Sequence, residues 1–384
     1  MPPPAETRLA RRNLIASTLA LPLASLLEGP ASAQAPAKPA PPQPAPISGL
    51  NTRARRKGLF YGSAINSTAL SNDIALMDQV RSECGILVSE DAFKWNAIHP
   101  KDKTYDFAAA DALVDYASHH AMAVRGHTLA WHEANPDWLE PALTRTTAEK
   151  ILRDHIHTVV SRYAGKLVHW DVVNEPLQED DHQPRALRDT LWLRALGPAY
   201  LDIAFQAAHA ADPKALLVLN EYAVEYGLDW QLRKRGALLD LLADMVHRKI
   251  PVHAVGIQAH LDAAEIAIDQ TGLYRFVNDI ASLGLKVIIT ELDVRDQRLP
   301  ADIASRDTSI AAHARAWLDV VLPHPAVLGV LSWGLSDRST WLNDKFPRAD
   351  GLPQRPLPLD LDLRRKKLWA AIAASLDATA AHPV

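Results

Sequence analysis

Two apolar runs in the 384-residue chain each end in a glutamate: Trp170-Asp171-Val172-Val173-Asn174-Glu175-Pro176 and Val287-Ile288-Ile289-Thr290-Glu291-Leu292-Asp293. Buried strands of a parallel sheet read as such runs. In a (β/α)8 barrel the carboxyl ends of the strands form the mouth where active sites sit. Two carboxylates facing each other there are the minimum equipment for breaking a glycosidic bond: one protonates the leaving oxygen and the other attacks the anomeric carbon. The acid must hold a proton while the nucleophile is ionised, so their environments have to separate two similar pKa values. A single strand-end glutamate reads equally well as half of an ion pair with Arg or Lys. Two such ends, accompanied by histidines and tryptophans, read as a site.

The elements that would position the pair alternate regularly. Strand patterns cover Leu59–Ile65, Ile86–Glu90, Ala123–Leu129, Val168–Glu175, Ala215–Glu221, Val252–Gln258, Lys286–Glu291 and Val327–Trp333. Amphipathic stretches between them include Ser71–Cys84, Thr147–Tyr163, Leu191–Ala211, Gln231–Arg248, Leu273–Leu283 and Ile310–Leu322, and a last helix pattern covers Leu361–Leu376. Eight strands with following helices predict an α/β fold, a closed (β/α)8 TIM barrel with right-handed crossovers, as a single catalytic domain over residues 49–380. Glu90, His127, Trp131, Glu175, Tyr222, Gln258, His260, Glu291 and Trp333 fall where these strands end. Core strands have no reason to end repeatedly in such residues, whereas a mouth lined for a sugar does.

Composition fits one soluble domain of this kind, with 48% hydrophobic and 22% charged residues. The net charge of −4 gives no basic field for a nucleic acid. The basic run Arg364-Arg365-Lys366-Lys367 lies beside an apolar helix pattern and reads as a solvated face. Cys84, the one cysteine, excludes an intrachain disulfide and reads as a small core residue at a helix end. Arg11-Arg12 precede an apolar segment, Leu14 to Leu27, and the small-residue pattern Ala31-Ser32-Ala33, so residues 1–33 are expected to be a signal peptide of twin-arginine type. Six prolines in residues 34–46 make 34–48 an extended linker. No other segment is long and apolar enough for a stable membrane span.

Six blocks of sequence, Glu90–Trp95, Gly126–His132, Trp170–Pro176, Gly256–Leu261, Ile288–Asp293 and Leu331–Trp341, resemble glycoside hydrolase family 10, the retaining endo-β-1,4-xylanases. The resemblance spans most of residues 58–376. It implies that Glu175 is the general acid/base and Glu291 the nucleophile, with xylan or a xylo-oligosaccharide as substrate and no cofactor or metal; separately, a monomer is expected. By the same resemblance Asn174 bonds the sugar 2-OH and His260 orients the nucleophile carboxylate. Gln258 lines that pocket, and Asp293 is a further partner for His260. His127, Trp131 and His132 shape the subsite next to the cleaved bond, and Trp333 and Trp341 roof it. Glu90, Asp91 and Lys94 contact glycone sugars, and Tyr222 ends the fifth strand. Tryptophan faces stack on the apolar faces of pyranose rings at low entropy cost. Trp192, Trp317 and Trp369 lie in helix patterns and read as core, while Trp138 and Trp230 stay undecided. Three positions depart from the family pattern: Asp91 replaces its usual Asn, Ala134 its Gln, and Glu221 its Asp. The first two surround the second glycone sugar, whose grip is expected to be weaker or retuned.

Other classes fit less well. A β-1,4-glucanase would use the same glutamate pair, and Trp341 is placed to crowd a 6-hydroxymethyl group. A metal-dependent barrel hydrolase needs converging ligands, usually with His-x-His on an early strand, which the sequence lacks. A non-catalytic sugar-binding relative would be expected to have lost one of the two carboxylates.

Overall fold

The computed structural model describes residues 48–264 and 267–382. The expected signal peptide, and the expected linker up to residue 47, lie outside the described residues.

Nine parallel strands form the frame: β1 Phe60–Ile65, β2 Ile86–Ser89, β3 Ala123–Ala130, β4 His169–Asn174, β5 Leu216–Glu221, β6 Ala254–Ile257, β7 His260–Asp262, β8 Lys286–Arg295 and β9 Val327–Ser332. Eight of them close a ring in the order β1-β2-β3-β4-β5-β6-β8-β9, with β9 returning to β1. The short β7 pairs only with the far end of β8, which runs four residues past Glu291. The eight-stranded parallel barrel expected from the alternating pattern is therefore present, and its strands lie within a few residues of the predicted ones.

Side chains alternate along each strand, so one face of every strand points into the barrel. Ile86, Val88, Val218, Ala254, Ile288 and Leu331 pack together as one small apolar cluster. Two residues further along the same faces the character turns polar, at Asn220 after Val218 and at Thr290 after Ile288. The other strand faces join the surrounding helices in a much larger apolar shell that includes Trp170, Trp192, Trp317 and Trp369. Cys84 is buried there at the end of the helix Ile74–Glu83. Register shifts between His127 and Ala130 on β3 and between Asp171 and Val173 on β4 break the regular pairing just before the mouth. Such bulges re-aim side chains beside active sites.

Several helix boundaries differ from the sequence pattern for local reasons. The stretch 191–211 is two helices, Leu191–Leu196 and Ala199–Ala211, interrupted by Gly197 at φ +62° and Pro198. The stretch 71–84 breaks at Asp73, whose side chain accepts from Leu76 N and starts a new helix. The helix before β9 begins at Ile303 rather than Ile310, because Asp302 caps it through Ser305 N.

The basic run is solvated at Arg364, Arg365 and Lys367, as expected, but not at Lys366. The last helix begins at Lys367, so the run precedes it instead of lying along it. Arg365 bonds the buried Glu83 carboxylate at 2.9 and 2.6 Å, and its guanidinium covers Trp369. Lys366 is buried, with its ammonium 2.8 Å from Asp337.

Candidate active site

The carboxyl mouth of the barrel opens into one cleft of about 720 Å³. Glu291 lies in β8 and is 4% exposed. Asn220 Nδ2, from β5, donates to its Oε1 at 2.7 Å. His260 Nε2 is 3.2 Å from its Oε2, and His260 Nδ1 is 2.9 Å from Asp293 Oδ1. An imidazole between two carboxylates donates to both only when both nitrogens carry hydrogen. Burial opposes that charge, but Asp293 and Glu291 prevail and hold His260 well above the usual histidine range. Glu291 is the complement. Burial would push it up, yet the His260 bond, the His127 and His260 charges and the Asn220 amide hold it at about 2. Trp341 Nε1 completes the group by donating to Asp293 Oδ2 at 2.8 Å.

Glu175 stands one residue past β4, at φ +54°. Left-handed backbone is costly for a residue with a Cβ and is held by its surroundings. Here Glu175 N donates to Asn220 O at 2.8 Å, and Arg188 Nε donates to Glu175 O at 2.8 Å. The carboxyl oxygens accept from Trp131 Nε1 and from Gln258 Nε2, both at 2.9 Å. His132 is 3.7 Å away, with burial and the Arg188 charge lowering its pKa despite Glu175. The two glutamates therefore meet different donors, a cationic imidazole for Glu291 and neutral N–H groups for Glu175.

The remaining sequence-derived residues gather around this pair, with one exception. Asn174 Oδ1 accepts from Asn220 Nδ2 at 2.8 Å. His127 lies edge-on to Trp333, with ring centroids 5.2 Å apart, and its Nδ1 is 2.9 Å from Asp171. Lys94 Nζ sits 4.9 Å from the Trp131 ring centroid. Burial and the neighbouring Asp91 charge raise Glu90 to about 7, against Lys94 and Asn66. Tyr222 Oη accepts from Arg188 Nη2 at 2.8 Å, and Lys234 covers its ring. Asp91 is the exception: it stands off the cleft, and its carboxylate accepts from Ser67 Oγ at 2.8 Å and Ser89 Oγ at 3.0 Å. The two undecided tryptophans separate as well. Trp138 packs against Trp95 and His99 and donates to His99 O. Trp230 is 48% exposed and lines the cleft.

Sequence reasoning meets Asn220 only as the first residue of the strand-five end, without a role, and misses Arg188, Glu225 and the buried Asp171, which pairs with Arg125 and His127. The one signal for Asn220 is a polar residue ending an apolar strand. Gly256 makes room for it, since a Cβ there would lie 2.1 Å from Asn220 Oδ1. Arg188 comes from the long β4–β5 connection, where no local pattern marks it.

A closed parallel barrel with two carboxylates at its mouth is the frame of a sugar-cleaving enzyme, and the chain is a glycoside hydrolase. More narrowly, it belongs to glycosyl hydrolase family 10, whose family model matches residues 49–375. Endo-1,4-beta-xylanase A of Fusarium oxysporum f. sp. lycopersici is 33% identical over 78% of this chain and 91% of its own length. Endo-1,4-beta-xylanase B of Paenibacillus barcinonensis is 33% identical over 74% and 87%. Among solved structures, native xylanase 10B of Thermotoga maritima superposes with a TM-score of 0.78 at 30% identity, covering 86% of this chain and 98% of that one. Xylanase 10B of Thermotoga petrophila, solved with xylobiose, gives 0.79 at 29%, covering 87% and 99%.

Proposed function

We propose that the protein hydrolyses internal β-1,4-xylosidic bonds of xylan with retention of configuration, through a covalent glycosyl-enzyme on Glu291. The observation that carries this reading is the asymmetry of the carboxylates. Glu291 is kept ionised by an imidazolium and an amide, ready to attack the anomeric carbon. Glu175, whose carboxyl accepts from the neutral N–H groups of Trp131 and Gln258, protonates the departing oxygen and then takes a proton from the water that releases the sugar. Asn174 faces the 2-OH, a contact that strengthens at the transition state. His127, Trp333 and Trp341 enclose the sugar on the glycone side, with Glu90 and Lys94 beyond, and Tyr222 receives the leaving sugar. The relatives named xylanases support xylan as the substrate. The protein acts as a monomer without cofactor or metal, and it is exported by the twin-arginine route.

The test is reducing-sugar release from xylan and from carboxymethyl cellulose, with Glu291→Gln as control. Xylan cleavage that vanishes in the variant, with β-configured product in the first minutes by NMR, is expected. Glu175→Ala should still form glycosyl-enzyme from an aryl xylobioside with a good leaving group and turn it over slowly. Undiminished xylan hydrolysis by Glu175→Ala would overturn the assignment of the acid. Export is read separately, by fractionating cells that carry Arg11→Lys/Arg12→Lys.

A further inference from the structure

Gln258 and His260, which bond Glu175 and Glu291 respectively, flank Ala259 in the turn between β6 and β7. Ala259 sits at φ +61°, a backbone region that a residue with a Cβ occupies only when its surroundings hold it there. Its carbonyl accepts from Asp293 N at 3.4 Å. Its N–H donates to Oε1 of Glu225, from the loop after β5, at 3.1 Å. The other Glu225 oxygen accepts from Val224 N at 2.8 Å, and the residue is 2% exposed. The neighbouring Tyr226 adds a second grip, its Oη accepting from Asp262 N at 2.7 Å.

We propose that Glu225 is a positioning residue for both catalytic glutamates: it fixes the Ala259 peptide, and through it the aim of Gln258 at Glu175 and of His260 at Glu291. This inference rests on the roles proposed above for Glu175 and Glu291. A carboxylate suits the task because it offers acceptors to two N–H groups at once and has no hydrogen of its own to clash with either. Burial pushes the Glu225 carboxyl above its usual range, and the facing His260 charge across the turn opposes that and favours the carboxylate, while Arg235 of the helix Asp229–His247 faces it from the other side. Asp293 and Glu291 meet this charge system through His260. An amide at position 225 keeps the shape but turns one acceptor into a donor aimed at an N–H. The turn then loosens and His260 loses a charge that favours its protonation. Glu291 in turn loses part of the hold that keeps it ionised.

The experiment compares Glu225→Gln and Glu225→Ala with the wild-type enzyme on an aryl β-xylobioside across pH, alongside thermal melting and an NMR titration of His260. In Glu225→Gln we expect kcat to fall at least tenfold with KM within twofold, the acid limb of kcat/KM to move to higher pH, and the His260 pKa to drop. Glu225→Ala should move all three further; if it does not fold, the Gln variant decides. A folded Gln variant with wild-type kcat, acid limb and His260 titration overturns the proposal. So does a kcat loss accompanied only by a lower melting temperature, because that is what a purely structural residue would give. Wild-type inactivity on both the aryl substrate and xylan would count against the proposed function, while the His260 titration still reads the brace.

Discussion

Asn220 Nδ2 lies 2.7 Å from Glu291 Oε1, and the same amide nitrogen lies 2.8 Å from Asn174 Oδ1. One side chain thus orients Glu291 and the residue preceding Glu175. Thr290 Oγ1 donates to Asn220 Oδ1 at 2.7 Å, which fixes the amide so that its nitrogen faces both. Removing a preorganised donor of this kind costs on the order of 10²-fold in kcat, and Asn220→Ala is expected to show that loss. Asn220→Asp should lose more and move the acid limb of kcat/KM to higher pH, because a second carboxylate beside Glu291 opposes its ionisation. Steady-state kinetics of a folded Asn220→Ala enzyme with wild-type kcat would remove Asn220 from the machinery.

Glu90 offers a prediction in stability rather than rate. Its carboxyl titrates at about 7 in the folded protein, above the ordinary 4.5. The folded state therefore holds this proton more tightly than the unfolded chain. The resulting stability is fully present below about pH 4.5 and is lost as pH rises to about 7. Glu90→Gln cannot ionise, so relative to wild type its melting temperature should be higher at pH 8 than at pH 5. Scanning calorimetry at the two pH values checks this, and an equal difference at both would refute it.

Trp341 donates to Asp293 and packs beside His260, with ring centroids 5.0 Å apart. Its ring lines the cleft, and the crowding of a 6-hydroxymethyl group expected of it from the sequence can be tested with paired substrates. Trp341→Ala is expected to lower kcat/KM on an aryl xylobioside about tenfold, in line with the loss of a buried aromatic contact. The loss on the matching aryl cellobioside should be smaller, so the preference for xylose narrows. An unchanged ratio between the two substrates would mean that discrimination lies elsewhere.

Glu221 and Lys234 form a buried ion pair at 2.7 Å behind Tyr222. Leaving one charge of such a pair uncompensated costs about 3–5 kcal/mol. Lys234→Met should show that loss in denaturant unfolding, and Lys234→Met/Glu221→Leu should recover most of it. If the single variant is as stable as wild type, Glu221 has found another partner.

Much of the site is legible in the order of residues alone. The two glutamates end apolar runs, as the sequence shows; Gln258 and His260 read as neighbours on one strand face, but a turn through Ala259 at φ +61°, not strand alternation, aims them at the pair. Where sequence pattern and structure part, a short-range rule meets a long-range fact. Arg364 to Lys367 read as solvated because charge runs usually are, and three of them are exposed, but Asp337, distant in sequence, draws Lys366 inward. Asp91 follows Glu90 directly in sequence, yet Ser67 and Ser89 turn its carboxylate away from the cleft.

The sequence by itself determined the barrel, through eight buried runs with helices between them, and the chemistry, through carboxylates at two run ends. Only the tertiary structure decided which groups touch those carboxylates. The β4–β5 register sets Asn174 opposite Asn220, and the β7–β8 register sets His260 opposite Asp293. Register arises from pairing between strands far apart in the chain, so no local pattern encodes it. Through those pairings two chemically similar glutamates come to face a cation and a set of neutral donors.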